Sequence, residues 1–364
     1  MTNNAVDSNA QGNTSVDWQA LLAERAYVGE KPGCYGRIKT CPQDFKVIEL
    51  MDVVPSGEGE HYWLKITKTR RNTEQVAKAL AKFAKVPVRD VGYSGLKDFQ
   101  AVTTQWFSVW KPRGDQLDWG CFEMSGVVIS KATKHHRKLK RGAHRGNQFE
   151  IVVKDLNGDT AELLDRLERI RLQGVPNYFG VQRFGRGADN MRQACDMLLN
   201  NKRVKSRSLR GILISSARSW LFNHVVSQRV TESSWQTLHA NEPANLDGSN
   251  SVFLSDGSEE ESRRLSRLDI HPTAPIVGQS VETELAGYID LHRKEMTWLK
   301  NYQELSRSLS AQGLNYQRRA IRAVVHDLNW SVRDSELALT FHLQPGQFAT
   351  SVLRELVNIE EPKT

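Results

Sequence analysis

Gly92 to Trp110 reads GYSGLKDFQAVTTQWFSVW. Its last residues, Val102 to Trp110, alternate: Val102, Thr104, Trp106 and Trp110 share one face, Phe107 and Val109 the other. Successive side chains of a strand point to opposite faces, so the pattern predicts a strand. Ahead of it stands a glycine-bearing turn carrying Lys97 and Asp98. A carboxylate on a tight turn at a strand end is well placed for a cleft, and glycine lets backbone or ligand approach closely. Taken alone, the segment reads first as an ordinary turn with an exposed aspartate.

Outward from this strand, the period of two recurs at Gly36 to Thr40, Phe45 to Leu50, His61 to Thr67, and Phe149, Ile151 and Val153. A helix starting at Asn72 or Thr73 carries Val76, Leu80 and Phe83 on one face and ends before Pro87. A short helix is expected at Trp18 to Tyr27. After about residue 155 the character changes. Leu163, Leu167 and Ile170 form a helical stripe that stops at Gly174, and residues 190–230 read mostly as helix. Residues 241–281, rich in Asn, Ser, Gly and acids, read as loop, and Trp298 to Leu309 as helix. Alternation returns at Leu337, Leu339, Phe341 and Leu343, followed by a helix over Phe348 to Leu356. The expected class is α+β, with the two strand-rich ends completing one sheet around an inserted middle.

The 364 residues suit about two domains. Hydrophobic residues at 39% and charged residues at 25% describe a globular chain, and no apolar run is long enough for a membrane helix. Residues 1–17 lack the basic and apolar regions of a signal peptide and read as a disordered polar arm. With only four cysteines and no CxxC pair, a zinc site is not expected, and a reducing cytoplasm is.

Formal charge is +8, and its distribution is more informative than its sum. Lys131 to Arg145 holds seven Lys or Arg and no acid, and Lys202 to Arg218 holds six, again without an acid. Two such runs predict a surface that tracks phosphates. The first ends in Gly146, Asn147 and Phe149, where an amide can read a base edge and a ring can stack on a base. In GVPNYFGVQRFGRG, Gly174 to Gly187, aromatics interleave with arginines, which fits an RNA-contacting loop and a packed turn equally well.

These segments resemble the TruD-type tRNA pseudouridine synthases. The family pattern AGxKDxxAxTxQ matches Ser94 to Gln105 at all but its first position, GNxFxI matches Gly146 to Ile151, and PNYFGxQRFG matches Pro176 to Gly185. SSARSWLFN at Ser215 to Asn223 and LQPGQFATSVLREL at Leu343 to Leu356 are similar to two further motifs. The likeness runs from about Arg37 onward and is weakest over 236–295. Ser94 stands in place of Ala, Phe99 where a basic residue is common, His144 in place of Leu, and Gln344 separates Leu343 from Pro345.

The resemblance implies a pseudouridine-synthase fold, with a mixed, largely antiparallel sheet flanked by helices and an inserted TRUD-type α+β domain. It places the catalytic domain at 18–172 and 316–364 and the insertion at 173–315. It implies an isomerase that turns uridine into pseudouridine at position 13 of the tRNA D-arm. It implies tRNA as substrate, with no cofactor and no metal; with no apolar run and few cysteines, no membrane contact and a cytoplasmic location are also expected, as is a monomer. Residue by residue, Asp98 becomes the catalytic nucleophile, Lys39 its ion-pair partner, and Phe45, Asn147, Phe149 and Phe348 the lining of the base pocket. A non-catalytic RNA chaperone of the same fold is the alternative, although it would have no need to retain Asp98. A zinc-dependent RNA deaminase is excluded by the missing CxxC.

Overall fold

The computed structural model describes residues 25–112, 116–280 and 285–360. The expected arm at 1–17 lies outside them, as does most of the helix expected at 18–27, and residues 25–27 are not helical. The described chain forms two compact units. One holds Pro32–Arg171, Val325–Ala349 and 356–360, and the other holds 25–31, Leu172–Val324 and Thr350–Glu355.

The first unit is built on a ten-stranded sheet. Its strands are β1 (Tyr35–Arg37), β2 (Phe45–Leu50), β3 (His61–Thr69), β4 (Val91–Tyr93), β5 (Val102–Trp110), β6 (Val127–His135), β7 (Gly146–Asn157), β8 (His326–Arg333), β9 (Glu336–Leu343) and β10 (Asn358–Glu360). The order is β8-β9-β7-β2-β5-β3-β6, with β4 beside β5, and β1 beside β7 and β10. Only β2–β5 and β1–β10 run parallel; the other pairs are antiparallel. This is the mixed, largely antiparallel sheet expected, and both ends of the chain supply strands to it.

Strand β5 divides its side chains as its alternation predicts. Phe107 and Val109 join Tyr62, Leu64 and Ile66 of β3 in one core with Val76 and Leu80 of helix α1 (Thr73–Ala84). Trp106 packs on the opposite face with Trp63 and Leu139. Asn72 caps α1, its backbone N–H donating to Gln75 Oε1 at 3.2 Å. Val76 and Leu80 are completely buried, each contributing about 1.5–3 kcal/mol by leaving water. The basic run beginning at Lys131 is not helical: its first part is β6, the outer strand beyond β3. Lysines along a sheet edge discourage pairing with a second chain, which accounts for part of the run without RNA.

The second unit contains the long helix Arg207–Thr231 and a four-stranded sheet, ordered Val252–Leu254, Pro243–Leu246, Ile270–Ile276, Gln317–Ala320. Residues 241–281 are therefore not a loop. Their strands escape a reading by apolar pattern because polar side chains are buried there with partners. His271 lies between Asp247 Oδ1 at 2.8 Å and Arg322 Nε at 3.0 Å, and the Thr273 hydroxyl donates to the Pro243 carbonyl at 2.6 Å. Gln317–Ala320 falls in this unit because it pairs with Ile270–Ile276. In Gly174 to Gly187, Tyr178, Phe179 and Phe184 are buried, so the packed turn is the correct reading. The second basic run is partly consumed within the fold, since the Arg218 guanidinium donates to the Ile276 and Asn315 carbonyls.

Candidate active site

Asp98 sits in a loop between β4 and β5 that has no strand partner of its own. Side chains from four directions hold this loop. Thr73, the first residue of α1, accepts from the Lys97 backbone N–H at 3.1 Å and donates to Gln105 Oε1 at 3.0 Å. Gln105 in turn donates from Nε2 to the Gly95 carbonyl at 3.1 Å. Glu49, at the inward phase of β2, accepts from Lys97 Nζ at 2.9 Å, from the Trp106 backbone N–H at 3.0 Å and from the Ser94 hydroxyl. Lys68 of β3 donates to the Asp98 carbonyl at 3.0 Å.

Close approach explains two glycines. A Cβ at Gly92 would collide with the Leu139 carbonyl and the Ser108 hydroxyl, and one at Gly146 with the Leu343 carbonyl of β9. His144 lies beside this region, and burial, reinforced by Lys97, pushes its imidazole below the ordinary range.

The Asp98 carboxylate meets Lys39 Nζ at 3.3 Å, and both side chains retain some exposure, 32% and 15%. Lys39 adopts a left-handed φ of 57°, a conformation that costs a non-glycine residue about 1–2 kcal/mol. Its ammonium also stands 4.4 Å from the Phe45 ring centroid, within cation–π range. Phe45 meets Phe149 edge-on at 6.2 Å, and Phe149 stacks on Phe341 at 5.3 Å. The aromatic group follows from sheet register, because Val47 and Phe341 flank Phe149 while Glu49 and Leu343 flank Asn147. Asn147 shares the face of Phe149, and its Oδ1 is buried without a hydrogen-bond partner among the described residues. Buried polar atoms are normally paired, so this oxygen is suited to receiving an N–H from a ligand.

Contacts thus bring Asp98, Lys39, Phe45 and Phe149 together, and register adds Asn147. Phe348 is half-buried and lies on the connection after β9, directly ahead of the helix Ala349–Leu356. Flanking the Lys97–Asp98 pair, Leu96 and Phe99 are exposed at 60% and 46%, so apolar surface adjoins the carboxylate. A separate cavity of about 460 Å³ opens between α1, β4 and residues 138–141, lined by Lys78, Lys138, Lys140 and Arg141 among others.

The family described as tRNA pseudouridine synthase D (TruD) matches residues 22–204 and 200–356. The chain belongs to the TruD family. It is 41% identical over 329 residues to the tRNA pseudouridine synthase D of Methylococcus capsulatus, covering 90% of this chain and 92% of that protein. It is 40% identical over 339 residues to that of Proteus mirabilis, covering 92% and 96%. The crystal structure of a Methanosarcina mazei chain assigned to TruD superposes with a TM-score of 0.68 at 17% identity, covering 93% and 97%. At that identity the likeness speaks for the fold alone. The enzyme class of the TruD family is isomerase. Among the described residues no helix is long and apolar enough to cross a membrane, and no cluster of three His, Cys, Asp or Glu could hold a metal.

Sequence reading missed Glu49, Lys68 and Thr73 as parts of the site. A signal was available for two of them. Glu49 is in phase with Phe45 and Val47, and Lys68 with Tyr62, Leu64 and Ile66, so each puts a charge where its strand faces inward.

Proposed function

We propose that the chain is a tRNA pseudouridine synthase that isomerises the uridine at position 13 of the D-arm, with Asp98 as nucleophile. The observation that carries this reading is the Asp98 carboxylate, held at 3.3 Å by Lys39 beside the Phe45 ring. A stacked uridine must leave the helix before its C1′–N1 bond can be reached. Phe45, Phe149 and Phe348 then supply faces for the extruded base, and Asn147 Oδ1 accepts the uracil N–H. The ionised carboxylate attacks C1′ and expels N1, the freed base turns, and its C5 attacks C1′ as the carboxylate leaves. The C5 proton passes to solvent, and N1 takes one up. Reactant and product are isomers, so the balance needs no oxidant, metal or cofactor.

Phosphate contacts supply most of the affinity for tRNA. The exposed Lys131, Arg137, Lys138, Lys140, Arg141 and Arg145 are suited to that role. In this reading the unit holding Asp98 is catalytic, the other selects RNA, and the protein works as a cytoplasmic monomer.

The test is incubation with tRNA tritiated at uracil C5. Stoichiometric tritium release, lost when U13 is replaced by cytidine, is expected. Binding without release points to the non-catalytic RNA chaperone, and release that survives the U13 replacement refutes the position.

A further inference from the structure

Lys68 is completely buried. It continues the inward phase of Tyr62, Leu64 and Ile66 at the end of β3, where an apolar residue would serve packing better. An ammonium removed from water is costly unless its hydrogens are satisfied. Lys68 satisfies them on backbone: Nζ donates to the carbonyls of Arg71 at 2.7 Å, Asp98 at 3.0 Å and Lys97 at 3.5 Å. Two of these acceptors are consecutive residues of the loop that carries the proposed nucleophile.

Three carbonyl dipoles converging on one point repel one another. A hydroxyl or an amide N–H offers a single donor, whereas an ammonium offers three together with a positive charge. The loop's other anchors, Thr73 on the Lys97 N–H and Gln105 on the Gly95 carbonyl, leave the Lys97 and Asp98 carbonyls to Lys68. Lys39 acts on the same residue at its carboxylate.

We propose that Lys68 is a positioning residue for the isomerisation: by gripping the Lys97 and Asp98 carbonyls it fixes the backbone from which the Asp98 carboxylate is aimed, without touching the uridine. This rests on the reading of Asp98 as nucleophile. A consequence is pH dependence. Burial pushes the Lys68 ammonium down to about 8, with the Asp98 carboxylate opposing the shift and Lys97 adding to it. Arg71, whose carbonyl Lys68 also holds, directs its own charge elsewhere, its Nε donating to the Ser125 carbonyl. Above that pH the neutral amine has two hydrogens for three carbonyls, and the loop loosens.

Activity and stability should then move in opposite directions. Between pH 8 and 10 the unfolded chain binds a proton that the folded chain has released from Lys68, so this residue's contribution to stability rises with pH. The rate falls over the same interval. A lysine serving structure alone gives no such opposition.

The experiment uses the full chain, with tritiated tRNA for activity and urea denaturation for stability, from pH 6.5 to 10. Lys68→Met is expected to lose about 100-fold in kcat, the scale of a small misplacement of a reacting group, with KM and tRNA affinity within about threefold. Lys68→Arg keeps its charge throughout, so its rate, though reduced, lacks the alkaline fall near pH 8. Folded Lys68→Met with unchanged kcat overturns the proposal, as does the same alkaline fall in wild type and Lys68→Arg. If Lys68→Met does not fold, the wild-type and Lys68→Arg profiles decide. Asp98→Asn is assayed alongside. Turnover retained there refutes the nucleophile reading and the positioning role with it. Turnover lost there but retained in Lys68→Met refutes the positioning role alone.

Discussion

Glu49→Ala tests whether a buried charge network underlies the Asp98 loop. The Glu49 side chain is fully buried and Lys97, its partner at 2.9 Å, is 5% exposed. Removing the carboxylate strands an ammonium in the interior and orphans the Trp106 amide and the Ser94 hydroxyl. Breaking a buried pair from one side costs about 3–5 kcal/mol. Orphaned neutral donors add on the order of 1–3 kcal/mol each where no water reaches them. Where water reaches the two donors only the pair counts, so about 3–5 kcal/mol is the expected minimum loss. For a unit of this size that lowers Tm by about 6–20 °C. The double variant Glu49→Gln with Lys97→Met removes both charges while keeping shape, and should regain about 2 kcal/mol over Glu49→Ala. Thermal and urea denaturation followed by circular dichroism measure both. A Tm within about 2 °C of wild type for Glu49→Ala, or a double variant no more stable than it, refutes the network.

Three further outcomes are expected. Asp98→Asn should release no tritium yet bind tRNA within about threefold of wild type, because phosphate contacts dominate affinity; multiple turnovers would remove Asp98 from its role. Lys39→Met should lower kcat at least about tenfold while changing stability by no more than about 1 kcal/mol, since its pair with Asp98 is partly solvated; intact kcat would reduce Lys39 to a bystander. Gln at Lys134, Lys138 and Arg141 together should flatten the slope of log K against log salt by about 2. Lys134 and Arg141 lie over the Tyr62 and Tyr93 rings and Lys138 donates to the Arg89 carbonyl, contacts that leave the positive charges without a neutralising carboxylate. An unchanged slope with normal affinity would mean the run only solvates a sheet edge.

What the sequence determined by itself was local and periodic. The alternation of Val102 to Trp110 and of Leu337 to Leu343 named two sheet strands and their faces, because a strand's side chains depend only on its own pleat. The stripe Leu163, Leu167, Ile170 gave the helix Thr160–Gln173 for the same reason. Separate motifs, through their likeness to a known family, named Asp98, Lys39 and the base-pocket candidates Phe45, Asn147, Phe149 and Phe348. Tertiary structure decided what depends on partners distant in the chain. His271 and Thr273 are buried in strand Ile270–Ile276 only because Asp247, Arg322 and the Pro243 carbonyl satisfy them, so composition alone suggested a loop. Tyr178 and Phe184 proved to be core rather than RNA contacts, a question of burial that no spacing encodes. Glu49 and Lys68 were visible in sequence only as charges on the otherwise apolar, inward phase of their strands. Their meaning appeared when β2 and β3 brought a carboxylate and an ammonium to the same short loop, because a buried charge is tolerated only where the fold delivers its hydrogen-bond partners.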